Sequence, residues 1–146
     1  MNFKSSRKKM NAVLDTLILG LPVFLGHFGT ALLMLIAGIA LYLFVTPINE
    51  YRLIKDGNLS AALTLGAATL GIALPLGAAL GSSINVWDIV LWGSIAIILQ
   101  ISVFFSVDMI LSNLSARIKR NELSAAVVVS ATKLSIAALN AAAISY

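Results

Sequence analysis

Apolar positions form long unbroken runs separated by short clusters of charge. Lys4, Arg7, Lys8 and Lys9 make the first cluster, Glu50, Arg52, Lys55 and Asp56 the second, and Arg117, Lys119, Arg120 and Glu122 the third. Uncharged runs extend from Thr16 to Asn49, Gly57 to Trp87 and Ile89 to Val107, and a fourth from Leu123 to Tyr146 is broken by Lys133 alone. A hydrocarbon core of about 30 Å takes roughly 20 apolar residues at 1.5 Å each, so every run can cross it. The pattern predicts four transmembrane helices, near 24–45, 60–82, 88–110 and 124–145. Barrel strands would alternate polar and apolar residues, which Leu32 to Val45 and Ile95 to Phe105 do not. Pro47 stops the first helix, Gly57-Asn58 makes a turn and cap before the second, and Asp88 caps the third beside the interfacial aromatics Trp87 and Trp92.

The first uncharged run is too long for one crossing, since as a straight helix it would reach about 50 Å. Val13, Leu14, Leu17, Ile18 and Leu21 fall on one helical face with Asn11 and Asp15 away from it. Asn11 to Val23 is therefore expected to lie in the interface as an amphipathic helix, broken from the first span at Gly20 and Pro22. A signal peptide is the competing reading. The apolar run continues through His27 into a full span, which argues for an uncleaved segment.

Composition narrows the class further. Of the 146 residues 60% are apolar and 11% charged, and the mean hydropathy is +0.99, values that exclude both a soluble globule and a disordered chain. A pI near 9.7 could suggest nucleic acid, but the basic residues flank apolar spans and read as topology signals or contacts to anionic lipid. With no cysteine and one histidine, there is no disulfide framework, thiol chemistry or His/Cys metal site. No phosphate-binding loop, nucleophile elbow or paired-carboxylate motif is present, so neither an enzyme nor a cofactor is expected.

Displacing the chain by 64 positions aligns Ile54–Ala79 with Ile118–Ala143, with 12 of 26 residues identical. Six of these are alanines, but Ile54/Ile118, Lys55/Lys119, Leu59/Leu123, Ser60/Ser124, Leu70/Leu134 and Ile72/Ile136 are less easily matched by composition. The chain then divides into a basic tail and interfacial helix (1–23), a first two-helix repeat (24–82) and a second (83–146). Two crossings per copy make the repeat parallel, about an axis along the membrane normal, with both basic loops on one side. The positive-inside rule puts those loops in the cytoplasm, although this sends the basic tail outside.

Thr46-Pro47-Ile48-Asn49-Glu50-Tyr51-Arg52-Leu53-Ile54-Lys55-Asp56-Gly57-Asn58, then Ala61-Ala62 and Leu74-Pro75-Leu76, form a distinctive stretch. With Trp92-Gly93, Ala96, Gln100 and Leu139-Asn140-Ala141-Ala142, it resembles the bacterial YjfL-like inner-membrane family, the uncharacterised family 0719 built from paired domains of unknown function 350. The likeness runs from about Leu14 to Tyr146. It implies a four-span inner-membrane protein of two repeats and no particular activity. Lys133 departs from the family pattern, where a small or apolar residue is expected.

Candidate residues follow from charge and polarity inside the spans. Lys133 stands about ten residues from each end of the fourth span, where an ammonium costs about 2.5 to 3.5 kcal/mol on insertion scales. It is read either as an ion-path residue or as a lysine that snorkels toward an interface or pairs with Asp108. Gln100 and Asn140 are the other midplane polar candidates, serving interhelical hydrogen bonds or a polar cavity. His27 is read as solvated rather than as a proton relay. Asn49, Glu50, Arg52, Lys55, Asn58, Arg117, Lys119 and Arg120 make up a loop surface that either docks a partner or is a solvated turn. The strip Ala131, Ser135, Ala138, Ala142, with Ala67, Gly71 and Ala78 at repeat-equivalent places, suits close packing of the second and fourth spans or of another copy.

These residues point to a small non-enzymatic membrane protein, homo-oligomeric or accessory to another membrane or cytoplasmic protein, in contact with lipid. The alternative is a small transporter or channel with a polar path near Gln100, Lys133 and Asn140. With cytoplasmic basic loops and four spans, alkaline phosphatase fused after Tyr146 is expected to be active and a fused fluorescent reporter dark. A fusion active only in the cytoplasm would overturn that orientation.

Overall fold

Asparagines set the starts of three helices. Asn49 Oδ1 accepts the Arg52 N–H at 3.0 Å and Asn58 Oδ1 the Ala61 N–H at 2.8 Å. Asn85 Oδ1 accepts those of Trp87 and Asp88 at 2.9 and 3.2 Å. Each bond satisfies an amide that the first turn leaves without an intrahelical acceptor. Asn85 thus takes the capping role expected of Asp88, which instead places its carboxylate in the first turn, where the helix dipole favours it.

The computed structural model describes the backbone of residues 3–145 and the side chains of residues 10–145, so the side chains of the basic tail lie outside the described residues. The elements are α1 (Phe3–Val45), α2 (Glu50–Lys55), α3 (Leu59–Ser82), α4 (Val86–Leu111), α5 (Leu114–Lys119) and α6 (Leu123–Ile144). Four of them, α1 from Met10 onward, α3, α4 and α6, are long and apolar enough to cross a membrane. The short α2 and α5 lie in the two basic loops. The protein is all-α, with four candidate spans within a residue or two of the expected ones, except at the start of α1.

There the expectation fails. Helix α1 runs unbroken for 43 residues with Pro22 inside it, so no separate interfacial helix precedes the first span. Proline removes one amide donor, whereas breaking the helix inside an apolar stretch would strand several backbone groups. Every residue from Met10 to Gly26 is exposed, and beyond Asn11, Asp15 and Thr16 the stretch from Leu17 on is apolar all round, with Leu19, Val23 and Leu25 bare as well as Leu17 and Leu21. Val23, Phe24 and His27 lie level with Gly81, Ser83 and Ile84, at the far end of α3. The residues before Val23 project past the other helices.

Helix α3 packs on α6, α4 and α1, and α4 packs on α1, α3 and α6. The small-residue contact between α3 and α6 exists, but α6 makes it with Ala126, Ser130 and Ala137, while Ala131, Ser135, Ala138 and Ala142 face outward. The core divides into two ends. Toward the basic loops Tyr42, Ile48, Phe104, Leu114, Ile118 and Val129 cluster, and toward the other end Ala31, Ile72, Leu76, Ile89 and Ile97 do.

The two basic loops hold one another. Asn58 Nδ2 donates to the carbonyls of Ile118 and Lys119 at 2.9 and 3.2 Å, and Asn121 Oδ1 accepts the Ser60 N–H at 2.9 Å. Asn58 is thus both a cap and a clasp, and it is buried. Replacing it with alanine strands the Lys119 carbonyl and leaves that of Ile118 with the Asn121 N–H alone, in addition to losing the cap. Asn58→Ala is expected to cost about 2 to 3 kcal/mol and Asn85→Ala, an exposed cap, about 1 kcal/mol, measured by thermal unfolding in detergent.

Candidate functional site

The Cα–Cβ bonds of a helix tilt toward its N-terminus, so a lysine on α6 leans toward the basic-loop end. Lys133 does so. Its side chain runs between α3 and α4 until Nζ donates to the Tyr42 hydroxyl at 2.6 Å, with the Thr64 carbonyl at 3.4 Å. Tyr42 stands three residues before the end of α1 and Thr64 five residues into α3, so the ammonium sits one to two turns inside the loop end although its Cα is ten residues deep. The Tyr42 and Phe104 rings add their faces, with centroids 4.2 and 5.4 Å from Nζ, and pack edge-on to each other. Lys133, Tyr42, Phe104 and Thr64 have no exposed surface. A desolvated cation is thereby met by a hydroxyl, a carbonyl and two π faces.

Gln100, in the middle of α4, ties the lysine's own backbone to the bundle. Its Nε2 donates to the Lys133 carbonyl at 3.2 Å, and its Oε1 has no partner. The amide fits because residue 71 is glycine: a Cβ there would stand 2.5 Å from Gln100 Cδ.

Glu50 completes the cluster from the loop. As the first residue of α2 it is fully buried, with Oε2 accepting from the Thr46 hydroxyl at 3.3 Å and Oε1 unpartnered. Burial pushes its carboxyl above the usual carboxylate range, opposed by its own backbone, the Tyr42 hydroxyl, the Lys133 charge and Thr46. The single hydroxyl hydrogen of Thr46 is shared with the Tyr42 carbonyl, the nearer acceptor at 2.9 Å, which fixes the chain's exit from α1. A groove of about 440 Å³ lined by Thr46, Pro47, Asn49, Glu50 and Tyr51 lies against this turn.

Several expectations need correction. Lys133 does not pair with Asp108, whose carboxylate lies near the end of α4 and accepts the Ser115 N–H at 3.4 Å. The lysine leans toward α1, where Tyr42 is nearer than any carboxylate of α4. Asn140 does not join Gln100 and Lys133. It lies seven residues, about 10 Å of rise, farther along α6, and its Nδ2 has no partner. Glu50 belongs to the core, because α2 turns its first residue inward, and it is not part of an exposed docking surface. His27 bonds its own helix, Nδ1 lying 2.9 Å from the Val23 carbonyl.

The remaining loop candidates divide by exposure. Asn49, Arg52, Lys55, Lys119 and Arg120 are exposed, and Lys55 lies over the Tyr51 ring. Arg117 is tied to Glu122, its Nε donating at 2.9 Å, and that bond holds the Glu122 carboxyl below its ordinary value. Tyr42, Thr46, Thr64 and Phe104 were not singled out from the sequence. The tilt of Lys133 toward the loop end was a usable signal for the first three, which all lie near that end.

Residues 16–144 match the family described as Domain of Unknown Function (DUF350). The UPF0719 inner membrane protein YjfL of Escherichia coli strain K12 is 30% identical over 134 residues, covering 92% of this chain and 98% of the relative. The protein of the same name from Escherichia coli O157:H7 matches equally. No solved structure matches.

The cluster predicts an unequal response to substitution. Tyr42→Phe leaves a buried ammonium with one long hydrogen bond and is expected to cost about 2 to 4 kcal/mol, whereas Lys133→Met removes the charge itself and costs less than about 1 kcal/mol. The double variant should unfold close to Lys133→Met, as read by thermal unfolding in nanodiscs.

Proposed function

The chain belongs to the DUF350 family and is a multi-pass protein of the inner membrane, and from that premise we propose that it works as a non-enzymatic, homo-oligomeric or accessory membrane subunit. The observation that carries this reading is the outward strip on α6. Ala131, Ser135, Ala138 and Ala142 are exposed and spaced to let a second helix approach closely. In lipid such a face gains by van der Waals contact with another helix that can come near its backbone. The basic loops then lie on the cytoplasmic side, where Arg52, Lys55, Lys119 and Arg120 meet anionic lipid or a cytoplasmic partner.

The reading includes two parallel helix–loop–helix repeats. Support comes from the element bounds: α2 at 50–55 and α5 at 114–119 differ by 64, the offset of the sequence repeat, and so do the starts of α3 and α6. The loop turns agree as well. Gly57 has φ of 83° and its counterpart Asn121 φ of 58°, the left-handed region that glycine and asparagine reach most easily.

A small transporter or channel is the second reading, favoured by the buried charge of Lys133. Against a continuous path stands the filled interior: Ile72, Leu76, Ile89 and Ile97 close the bundle beyond Gln100.

Because the chain has no cysteine, one introduced thiol reports a contact cleanly. Ala138→Cys is expected to form a disulfide-linked dimer in native membranes, and Ile98→Cys, exposed on α4, to remain monomeric. Dimers from neither variant, together with a monomeric mass in nanodiscs, would leave only the accessory-subunit form of the proposal.

A further inference from the structure

We propose that Glu50, Tyr42 and Lys133 form a proton-binding site that exchanges with water on the basic-loop side and is closed toward the other. A carboxylate kept for structure alone has both oxygens satisfied when buried. Glu50 has no exposed surface, yet its Oε1 has no partner, and the residue is among those that line the groove with Thr46, Pro47, Asn49 and Tyr51. Glu50 itself is closed off from water, so a proton or water from the groove reaches Oε1 when the turn at Pro47–Asn49 opens. On the inner side the Tyr42 hydroxyl takes the Lys133 ammonium at 2.6 Å, and the charge of that ammonium favours the carboxylate. Beyond the Lys133 ammonium the Gln100 amide is bonded to the lysine's own carbonyl, and the other end of the core is aliphatic, with Ile72, Leu76, Ile89 and Ile97. The path ends there.

The step needs no co-reactant but water. A hydronium ion in the groove gives its proton to Glu50 Oε1, forming the carboxyl O–H and leaving water. The ammonium of Lys133 then loses its counter-charge, and the cluster gains one positive charge. Release reverses the step.

The charged and titratable groups facing Glu50 are few. α1 brings Tyr42 with Thr46, α6 brings Lys133, α3 brings the Thr64 carbonyl, and α4 brings Phe104 and Gln100, which carry no charge. On α2 itself Arg52 and Lys55 are exposed, as is Asp56, and on α5 Arg117 is bound to Glu122. Among the described residues Lys133 is the one full charge that acts on Glu50 from within the bundle.

The test is an infrared pH titration of the full chain in nanodiscs, joined to thiol labelling in oriented vesicles. A carboxylic C=O band should appear as pH falls, vanish in Glu50→Gln, persist in Asp108→Asn and Glu122→Gln, and shift in deuterated water. Lys133→Met and Tyr42→Phe should each move its midpoint to higher pH, the first by about one unit or more, because each removes a group that favours the carboxylate. These two variants retain Glu50, so they decide the matter even if Glu50→Gln does not fold. Glu50→Cys should react with a charged, impermeant thiol reagent from the side that labels Asn121→Cys, and not from the side that labels Ile84→Cys. The proposal is overturned by a band whose midpoint ignores Lys133→Met, by the absence of any titrating band lost in a folded Glu50→Gln, or by Glu50→Cys labelling from the Ile84 side. None of these outcomes depends on which side is cytoplasmic or on whether the protein is an oligomer.

Discussion

A primary amine in the middle of a membrane helix must find acceptors within the length of its own side chain, and much of this bundle is arranged around that requirement. Lys133 starts ten residues inside α6 and reaches a hydroxyl on α1 and a carbonyl on α3, while Gln100 of α4 holds its backbone. Four spans thus meet on one residue. Helices α1 and α6 share little other surface, since α1 packs mainly on α3 and α4, so the lysine–tyrosine bond is the principal direct tie between the first span and the last. Interhelical polar contacts in membranes are individually modest, about 0.6 to 2 kcal/mol, but here they converge on a charge that has no cheaper arrangement.

The two ends of the molecule are consequently unlike. At the basic-loop end, polar groups penetrate the core and each loop grips the other: Asn58 crosses to the α5 carbonyls and Asn121 returns to the first amides of α3. At the opposite end the interior is aliphatic, and the α3–α4 turn rests on the Asn85 cap. Directional bonds join the helices to one another at the loop end, whereas at the other end the Asn85 cap is local to α4 and the helices meet by aliphatic packing.

The spans could be read from sequence because lipid imposes length and apolarity on each helix separately, and the runs ending at Pro47, Trp87 and Val107 record this residue by residue. Lys133 and Gln100 could be flagged for the same reason, as polar atoms where none are cheap. Their partners could not be identified that way. Tyr42 lies 91 positions from Lys133, and no local period links them. Asp108 stands among the sequence candidates because opposite charge is visible there, whereas a phenol that accepts a hydrogen bond is not. Glu50 looked like a surface residue among Arg52, Lys55 and Asp56, and only the turn of α2 against Thr46 puts it inside. The uninterrupted α1 shows the opposite error, since Pro22 reads as a break wherever the cost of exposing further backbone is ignored.

The length of α1 has a mechanical consequence. The helix is held at its loop end by Tyr42 and Thr46, and from Tyr42 back to Met10 it forms a rod of about 48 Å whose outer part touches no other element. Such a rod is a lever. Ala31, Met34 and Gly38 are packed against α3 and α4, so the free arm is the part before Val23, where a bend of about 5° carries Met10 sideways by about 2 Å without moving the packed spans.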